Sequence, residues 1–448
     1  MSRKDDKNFR LILSSVVKKY FQGKYTEEVS VFDVISTKLD GVDMSKADKD
    51  NLSRILQLFF LGQLTGLQSL NAILTHFGIH SSKEQVRYKD LCNRLSNKAF
   101  HQIFEELFKT EVERVLTEKM EKHGSSWSRE LVTAVIDDSI FKQWLESSDA
   151  EKDYECCYAK FFSGQVKQAV WGYQVVTFGL SIDGVFYPMF LECAPKATEE
   201  NKVNKEKPSH LMAAKFIGKW GDFVKKMEKN GCKLPIIPFS CDSGYSSVAL
   251  SEACQKHGLT YISVPGKSHL LEYEGKSMSI ANWITDIFEV AEKAHISKEV
   301  ALPKNLKTAF TLRFKAVYKS QSRELTFLAF RLKGSKKVSV IYTTDKNIKG
   351  KTLRRHWFQR TYIEQFFRLL KHTMSIQLSI TTTKHTFEVK VLRFAFMGLH
   401  MQLIVRAVRK AIKSFQKKGI GTLRAFCQSD TALLDVLEGI LKTPFAQK

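Results

Sequence analysis

Residues 131–139 read Leu131-Val132-Thr133-Ala134-Val135-Ile136-Asp137-Asp138-Ser139, and the fold turns on them. Before them the chain reads as helix: no proline precedes Pro188, and residues 51–62, 66–77, 83–95 and 100–119 carry apolar side chains at three-to-four spacing. The run from Leu131 to Ile136 has another texture, unbroken apolar and β-branched residues that suit a strand buried on both faces and that end in acids. Residues 170–180 and 185–191 predict two more strands, joined at Ile182-Asp183-Gly184-Val185 by a hairpin turn. A helix over 210–230 follows, then a strand over 234–241 that closes on Asp242-Ser243-Gly244-Tyr245, a helix over 246–257 and a strand over 259–264. This order of strands and helices is that of an α/β sheet, where ligands and metals gather at the C-terminal ends of strands. An acid at a strand end serves equally well as a cap for the turn that follows.

Residues 307–319, 324–333 and 338–342 alternate Lys and Arg with apolar side chains and predict a β-rich insertion. Residues 356–371 then predict one amphipathic helix. Trp357, Arg360, Glu364, Arg368 and Lys371 share a stripe about 80° wide, with Phe358, Tyr362, Ile363, Phe366, Leu369 and Leu370 opposite. A single carboxylate among three cations is most simply a solvated face with weak ion pairs. The same pattern suits a metal-binding carboxylate beside phosphates, because Asp137, Asp242 and Glu364 together offer three hard oxygen donors for Mg²⁺ or Mn²⁺. Were Glu364 not the third, Glu192 or Asp345 would be next. A carboxylate on metal cannot also be tightly tied up by two cations, so Arg360 and Lys371 are expected to serve phosphates and not to act as ion-pair partners for the stability of the fold.

The chain has 448 residues, 43% apolar and 26% charged, enough for two or three domains. No apolar run reads as long enough to span a membrane, and the polar start MSRKDDKNFR lacks a signal-peptide core, so a soluble cytoplasmic protein is expected. Eight scattered cysteines, none in a C-x-x-C pair, suit a reducing compartment and give no zinc site. Residues 1–125 hold 20 Lys/Arg against 17 Asp/Glu, which leaves +20 of the net +23 on residues 126–448. Residues 351–424 alone hold 16 Lys/Arg and two acids, part of it in a long basic helix over 387–415. Such an excess points to a polyanion, nucleic acid before ribosome or acidic membrane. Near the N-terminus, Leu64 to Gly66 and the helix after His80-Ser81-Ser82 could form a helix-turn-helix, although an ordinary helical bundle has the same pattern.

These motifs resemble the DDE transposases of bacterial insertion sequences, cut-and-paste type. Trp357-x2-Arg360-x3-Glu364-x6-Lys371 matches the Tyr-x2-Arg-x3-Glu-x6-Lys signature of one subgroup in three of four positions. Asp242-Ser243-Gly244-Tyr245 matches the context of the second acid, and Asp137-Asp138-Ser139 stands for the usual Asp-x-Thr, with Asp137 aligned and Asp138 the alternative. Trp for Tyr keeps an aromatic face and an N–H donor but loses the phenol. The likeness covers roughly residues 130–415. It implies an RNase H-like catalytic core within an α/β fold, after an all-helical domain at 1–125 that binds DNA ends. The core would run over 126–268 and 349–385, with the β-rich insertion at 269–348 and basic C-terminal helices at 386–448. It also implies two Mg²⁺ or Mn²⁺ ions on Asp137, Asp242 and Glu364, with DNA contacts from Trp357, Arg360, Arg368 and Lys371. The implied partners are terminal inverted repeats, target double-stranded DNA and a second subunit in the synaptic complex. A transposase-derived DNA-binding protein without strand transfer, or a metal-dependent nuclease, shares these features.

Overall fold

Strand β1 covers Val132–Lys142 and does not stop at the acids. Its side chains are buried through Ile136, half-buried from Asp137 to Ile140 and buried again at Phe141, so the first apolar run does not mark where β1 ends. The computed structural model describes residues 44–65, 72–73, 75, 97–124, 132–142, 157–163, 168–196, 207–296, 308–374, 376 and 384–411. The expected helix over 83–95, most of that over 66–77, the helix-turn-helix candidate and the tail after 411 lie outside these residues. Before β1 come helices α1 (Lys46–Thr65) and α2 (Asn97–His123). After it come β2 (Tyr158–Ser163), β3 (Gln168–Ile182), β4 (Val185–Cys193), α3 (Pro208–Lys229), β5 (Ile237–Ser240), α4 (Val248–Lys256) and β6 (Leu259–Ser263). Then follow β7 (Leu270–Tyr273), β8 (Lys276–Ser279), α5 (Ile280–Trp283), α6 (Glu289–Ile296), β9 (Thr308–Tyr318), β10 (Arg323–Leu332) and β11 (Val338–Thr343). The last described elements are α7 (Gly350–Gln359), α8 (Thr361–Arg368) and α9 (Lys384–Ala411).

The chain divides by contacts into two units, one of residues 1–111, 140–173 and 365–448, the other of 112–139 and 174–364. The second unit is a mixed α/β structure. Its strands stand in the order β3-β1-β5-β6-β11-β10-β9-β7-β8, with β4 paired to the second half of β3. β1 and β5 run parallel, with Ala134 opposite Phe239 and Val135 opposite Ser240, and β5 and β6 run parallel as well. Parallel neighbours need a crossover, and α4 supplies the one between β5 and β6. The β3–β4 hairpin closes through Asp183 and Gly184, both at positive φ (49° and 82°), the geometry a two-residue hairpin turn requires. Pro235 cannot donate to a ladder, and β5 begins three residues later than the apolar run suggested, at Ile237.

The β-rich stretch is not a separate body. β11 pairs antiparallel with β6 through Tyr342 opposite Ser263 and Thr343 opposite Ile262, so its strands continue the same sheet. Aromatic stacking runs across this sheet, from Phe178 to Phe239 (6.1 Å) and from Phe239 to Tyr261 (5.9 Å). Helix α3 covers one face, with Phe216 on Phe190 at 5.5 Å and Trp220 on Phe178 at 6.1 Å. Helix α7 docks through Leu353, fully buried in a cluster with Ile262, Leu328, Phe330 and Ile341, against which half-buried Trp357 also packs.

In the first unit β2 pairs with the first half of β3, from Tyr158 opposite Tyr173 to Ser163 opposite Gln168. The sequence reading missed β2, whose short apolar run is interrupted by Lys160. The long basic helix read over 387–415 is α9, and part of its charge is buried. Lys390 and Glu388 are buried, Glu388 is paired with His101 at 3.3 Å, and Phe396 packs on Phe104 and Phe108. Burial first, and then the nearby Arg393 charge, pulls the Lys390 pKa down to about 8. The stretch Phe387–Lys410 is long and apolar enough to cross a membrane, contrary to the sequence reading, but 78% of its apolar window is buried within the protein.

If α7 is held by its buried leucine, Leu353→Ala should lower unfolding stability by about 2–5 kcal/mol, as large-to-small core changes do. Urea denaturation measures this, and an unchanged midpoint would show that the helix is not docked through Leu353.

Candidate active site

The register of β1 on β5, carried on two residues past Val135 and Ser240, sets Asp137 beside Asp242. Neither placement needs a long loop, since Asp137 lies within β1 and Asp242 stands two residues past the end of β5. Asp242 also caps the turn Ser243–Tyr245, its Oδ1 accepting from the Gly244 N–H at 2.8 Å. The capping role and the site role therefore coexist in one side chain. Asp137 Oδ1 accepts from the Asp138 N–H at 2.9 Å, and the Asp138 carboxylate accepts from the side-chain amide of Gln174 on β3.

Burial, then the charges of Asp242 and Asp138, push the Asp137 carboxyl up to about 8, with Arg360 pulling against them. Asp138 is raised too, chiefly by burial, while its bond from Gln174 opposes the shift. The Tyr245 phenol is buried beside these acids, and burial together with their charges raises it well above the usual phenol value.

The expected single helix over 356–371 is two, with a turn at Arg360 and a π-helical turn at Leu369–Thr373. Its apolar side is buried as predicted at Ile363, Phe366, Leu369 and Leu370, whereas Phe358 is exposed. Arg360 lies 3.6 Å (Nη1) from Asp137 Oδ2 and donates from Nη2 to Glu364 Oε1 at 2.8 Å. Its guanidinium stands over the Trp357 ring at 5.0 Å from the centroid. The structure thus joins Asp137, Asp242, Arg360, Glu364 and Trp357. Arg360 is paired with two of the three acids, a contact that its expected role toward phosphates did not foresee. Arg368 and Lys371 belong to the first unit, where Arg368 is exposed and Lys371 stands over the Phe141 ring at 5.0 Å. The substitutes for Glu364 are otherwise engaged. Glu192 is paired with Lys215 at 2.6 Å and Lys219 at 3.5 Å, and Asp345 accepts from the Asn347 N–H at 2.8 Å.

Two neighbours escaped the sequence reading. Gln174 was signalled only by being an amide inside the apolar run 170–180. His210 bonds the Gly244 carbonyl and lies 5.5 Å ring to ring from Tyr245, and nothing in its helix announced that.

A divalent cation fits the chemistry of this donor set. All the donors are hard oxygens, and the charges of Asp242 and Asp138 beside Asp137 are ones that a cation would offset. As placed, no three His, Cys, Asp or Glu side chains among the described residues form a metal-ready group. Asp137 and Asp242 are the pair that would hold an ion first. A separate cleft of about 780 Å³ opens at the other end of the same strands, lined by Val132, Ile237, Leu259, Arg323, Asp345 and His356. Val132 is about 16 Å along β1 from Asp137. His356 there bonds Thr133 Oγ1 at 2.8 Å, and burial first, then Arg355, pulls its pKa down to about 4, so it is neutral at pH 7. No protein-family model matches the chain, and no curated protein matches it either.

Asp137 gives a pH signature. Its folded pKa lies above the unfolded carboxylate value, so the folded state holds a proton that the unfolded state loses. The stability it contributes is present below about pH 4 and is lost as pH rises to about 8. In metal-free buffer, Asp137→Asn should therefore melt progressively higher than wild type between those pH values. Parallel melting curves across that window would show that Asp137 is not a crowded, buried acid.

Proposed function

We propose that this protein is a DNA transposase that cuts at transposon ends and joins them to target DNA by divalent-metal-dependent phosphoryl transfer. The observation that carries the reading is the in-register pair Asp137 and Asp242 on parallel strands, tied through Arg360 to Glu364. The strand order β4-β3-β1-β5-β6, with β1, β5 and β6 parallel, is the arrangement expected of an RNase H-like core and supports the finer fold assignment. The net charge of +23 supports a nucleic-acid substrate and a cytoplasmic, DNA-associated protein.

Asp137, Asp242 and Glu364 would hold Mg²⁺ or Mn²⁺, two ions in the transposase pattern. The chemistry such ions supply when bound is activation of a water or a DNA 3′-OH and stabilisation of the leaving oxygen in an in-line displacement. The chain's own residues do the rest. Gln174 fixes Asp138 beside Asp137, and the Asx turn fixes Asp242. Trp357 holds the guanidinium of Arg360 by its ring face, and Arg360 would grip a phosphate with two parallel N–H groups. Arg368 and Lys371, on the first unit, would be further phosphate contacts. A pair of such subunits would be needed to bring two transposon ends together.

The decisive assay uses labelled DNA carrying the inverted repeats that flank the gene, Mg²⁺ and a target plasmid. Joined product is the expected result. Cut ends without joining would make the protein a nuclease, and binding without cutting a transposase-derived DNA-binding protein. In the same assay Asp137→Ala, Asp242→Ala and Glu364→Ala should abolish cleavage and leave DNA binding largely intact. Normal cutting by any one of them removes that residue from the site, and a dead Asp138→Ala beside an active Asp137→Ala would move the first ligand by one position. The full chain should bind random duplex with a steep salt slope, given its net charge of +23. A shallow slope in filter binding from low to moderate salt would count against a phosphate-dominated interface.

A further inference from the structure

Arg360 occupies the turn between α7 and α8, and tight bonds fix it there. Its N–H bonds the Trp357 carbonyl at 3.2 Å, and its carbonyl accepts from the Ile363 N–H at 3.2 Å. The turn aims the side chain at β1, with Nη1 3.6 Å from Asp137 and Nη2 2.8 Å from Glu364. The side chain is only 19% exposed and that of Asp137 14%, so solvent screens this contact less than it would a surface pair.

We propose that Arg360 is a built-in counter-ion for the carboxylates, which a divalent ion must displace and which a DNA phosphate helps to draw away. The inference rests on the reading of Asp137, Asp242 and Glu364 as metal ligands. A guanidinium is a donor only, and the oxygens it binds are the lone pairs a metal needs. While Glu364 is bound to Arg360 it is not gathered with Asp137 and Asp242, which fits the lack of a metal-ready group of three among the described residues. A doubly charged ion offers these acids more than one guanidinium does, so exchange is favourable once the ion is present. Displaced, the guanidinium can keep its stack on Trp357 and turn to a phosphate, whose two oxygens match its fork. The two events then favour each other: phosphate that captures Arg360 frees carboxylate oxygens for metal, and metal that takes those oxygens frees Arg360 for phosphate. Linkage requires that coupling to be equal in both directions.

Mn²⁺ binding, followed by electron paramagnetic resonance, tests this with and without a short random DNA duplex. Without DNA, Arg360→Gln should bind Mn²⁺ roughly fivefold or more tightly than wild type. With DNA, wild-type affinity for Mn²⁺ should rise, and that of Arg360→Gln should not. Equal or weaker Mn²⁺ binding by the variant overturns the exchange and leaves the metal site standing. Wild type that binds no Mn²⁺ at millimolar concentration overturns both. Should Arg360→Gln fail to fold, Mg²⁺ titration of wild type decides. Displacement of the guanidinium should change an indole emission that Trp357→Phe lacks, and no Trp357-dependent change overturns the proposal.

Discussion

The pairing of β1 with β5 is the constraint on which the site depends. Two parallel strands in register bring two carboxylates to one end of an apolar sheet, where the charge of Asp242 raises the cost of ionising Asp137. Burial alone would favour the protonated acids. A sheet that holds Asp137, Asp138 and Asp242 so close tolerates them through polar partners: Gln174 for Asp138, the Gly244 N–H for Asp242 and the guanidinium of Arg360 for Asp137. The partners come from β3, from the turn after β5 and from the junction of α7 and α8. Three separate parts of the chain are thus committed to one crowded edge.

Arg360 can serve there only because α7 is fixed. Leu353 is fully buried, and Trp357 packs against the same cluster of Ile262, Leu328, Phe330 and Ile341. Leu328 and Phe330 belong to β10 and Ile341 to β11. The strands read from sequence as an insertion therefore do more than fill space: they join the sheet at β6 and form the floor on which the arginine-bearing helix rests.

Much of this was legible before the structure. The hairpin at Asp183-Gly184 follows from residues that accept positive φ, and β3, β4, β6, β9, β10, β11, α3 and α4 follow from the apolar pattern, whereas β7, β8, α5 and α6 had no reading in the sequence. The acids were visible because each follows an apolar run. The extent of β1 was not, since a strand that emerges from its cover keeps its backbone pairing while losing its apolar signature. The turn at Arg360 was hidden for a related reason: no Gly or Pro marks it, and the bonds around it keep Trp357, Arg360 and Glu364 within reach of one another much as a continuous helix would. The spacing survived although the helix did not.

Helix α9 shows where counting charges misleads. Its 28 residues contribute to the basic excess of the C-terminal third, yet Lys390 is buried and Arg393 lies over the Phe59 ring at 3.7 Å. Long cationic side chains can cover apolar surface with their stems and ring faces with their heads. A cation held that way supports the core of its unit and is a poor ligand for a phosphate. The exposed cationic charge is therefore smaller than the sum suggests, and a count of Lys and Arg overstates what a polyanion could reach.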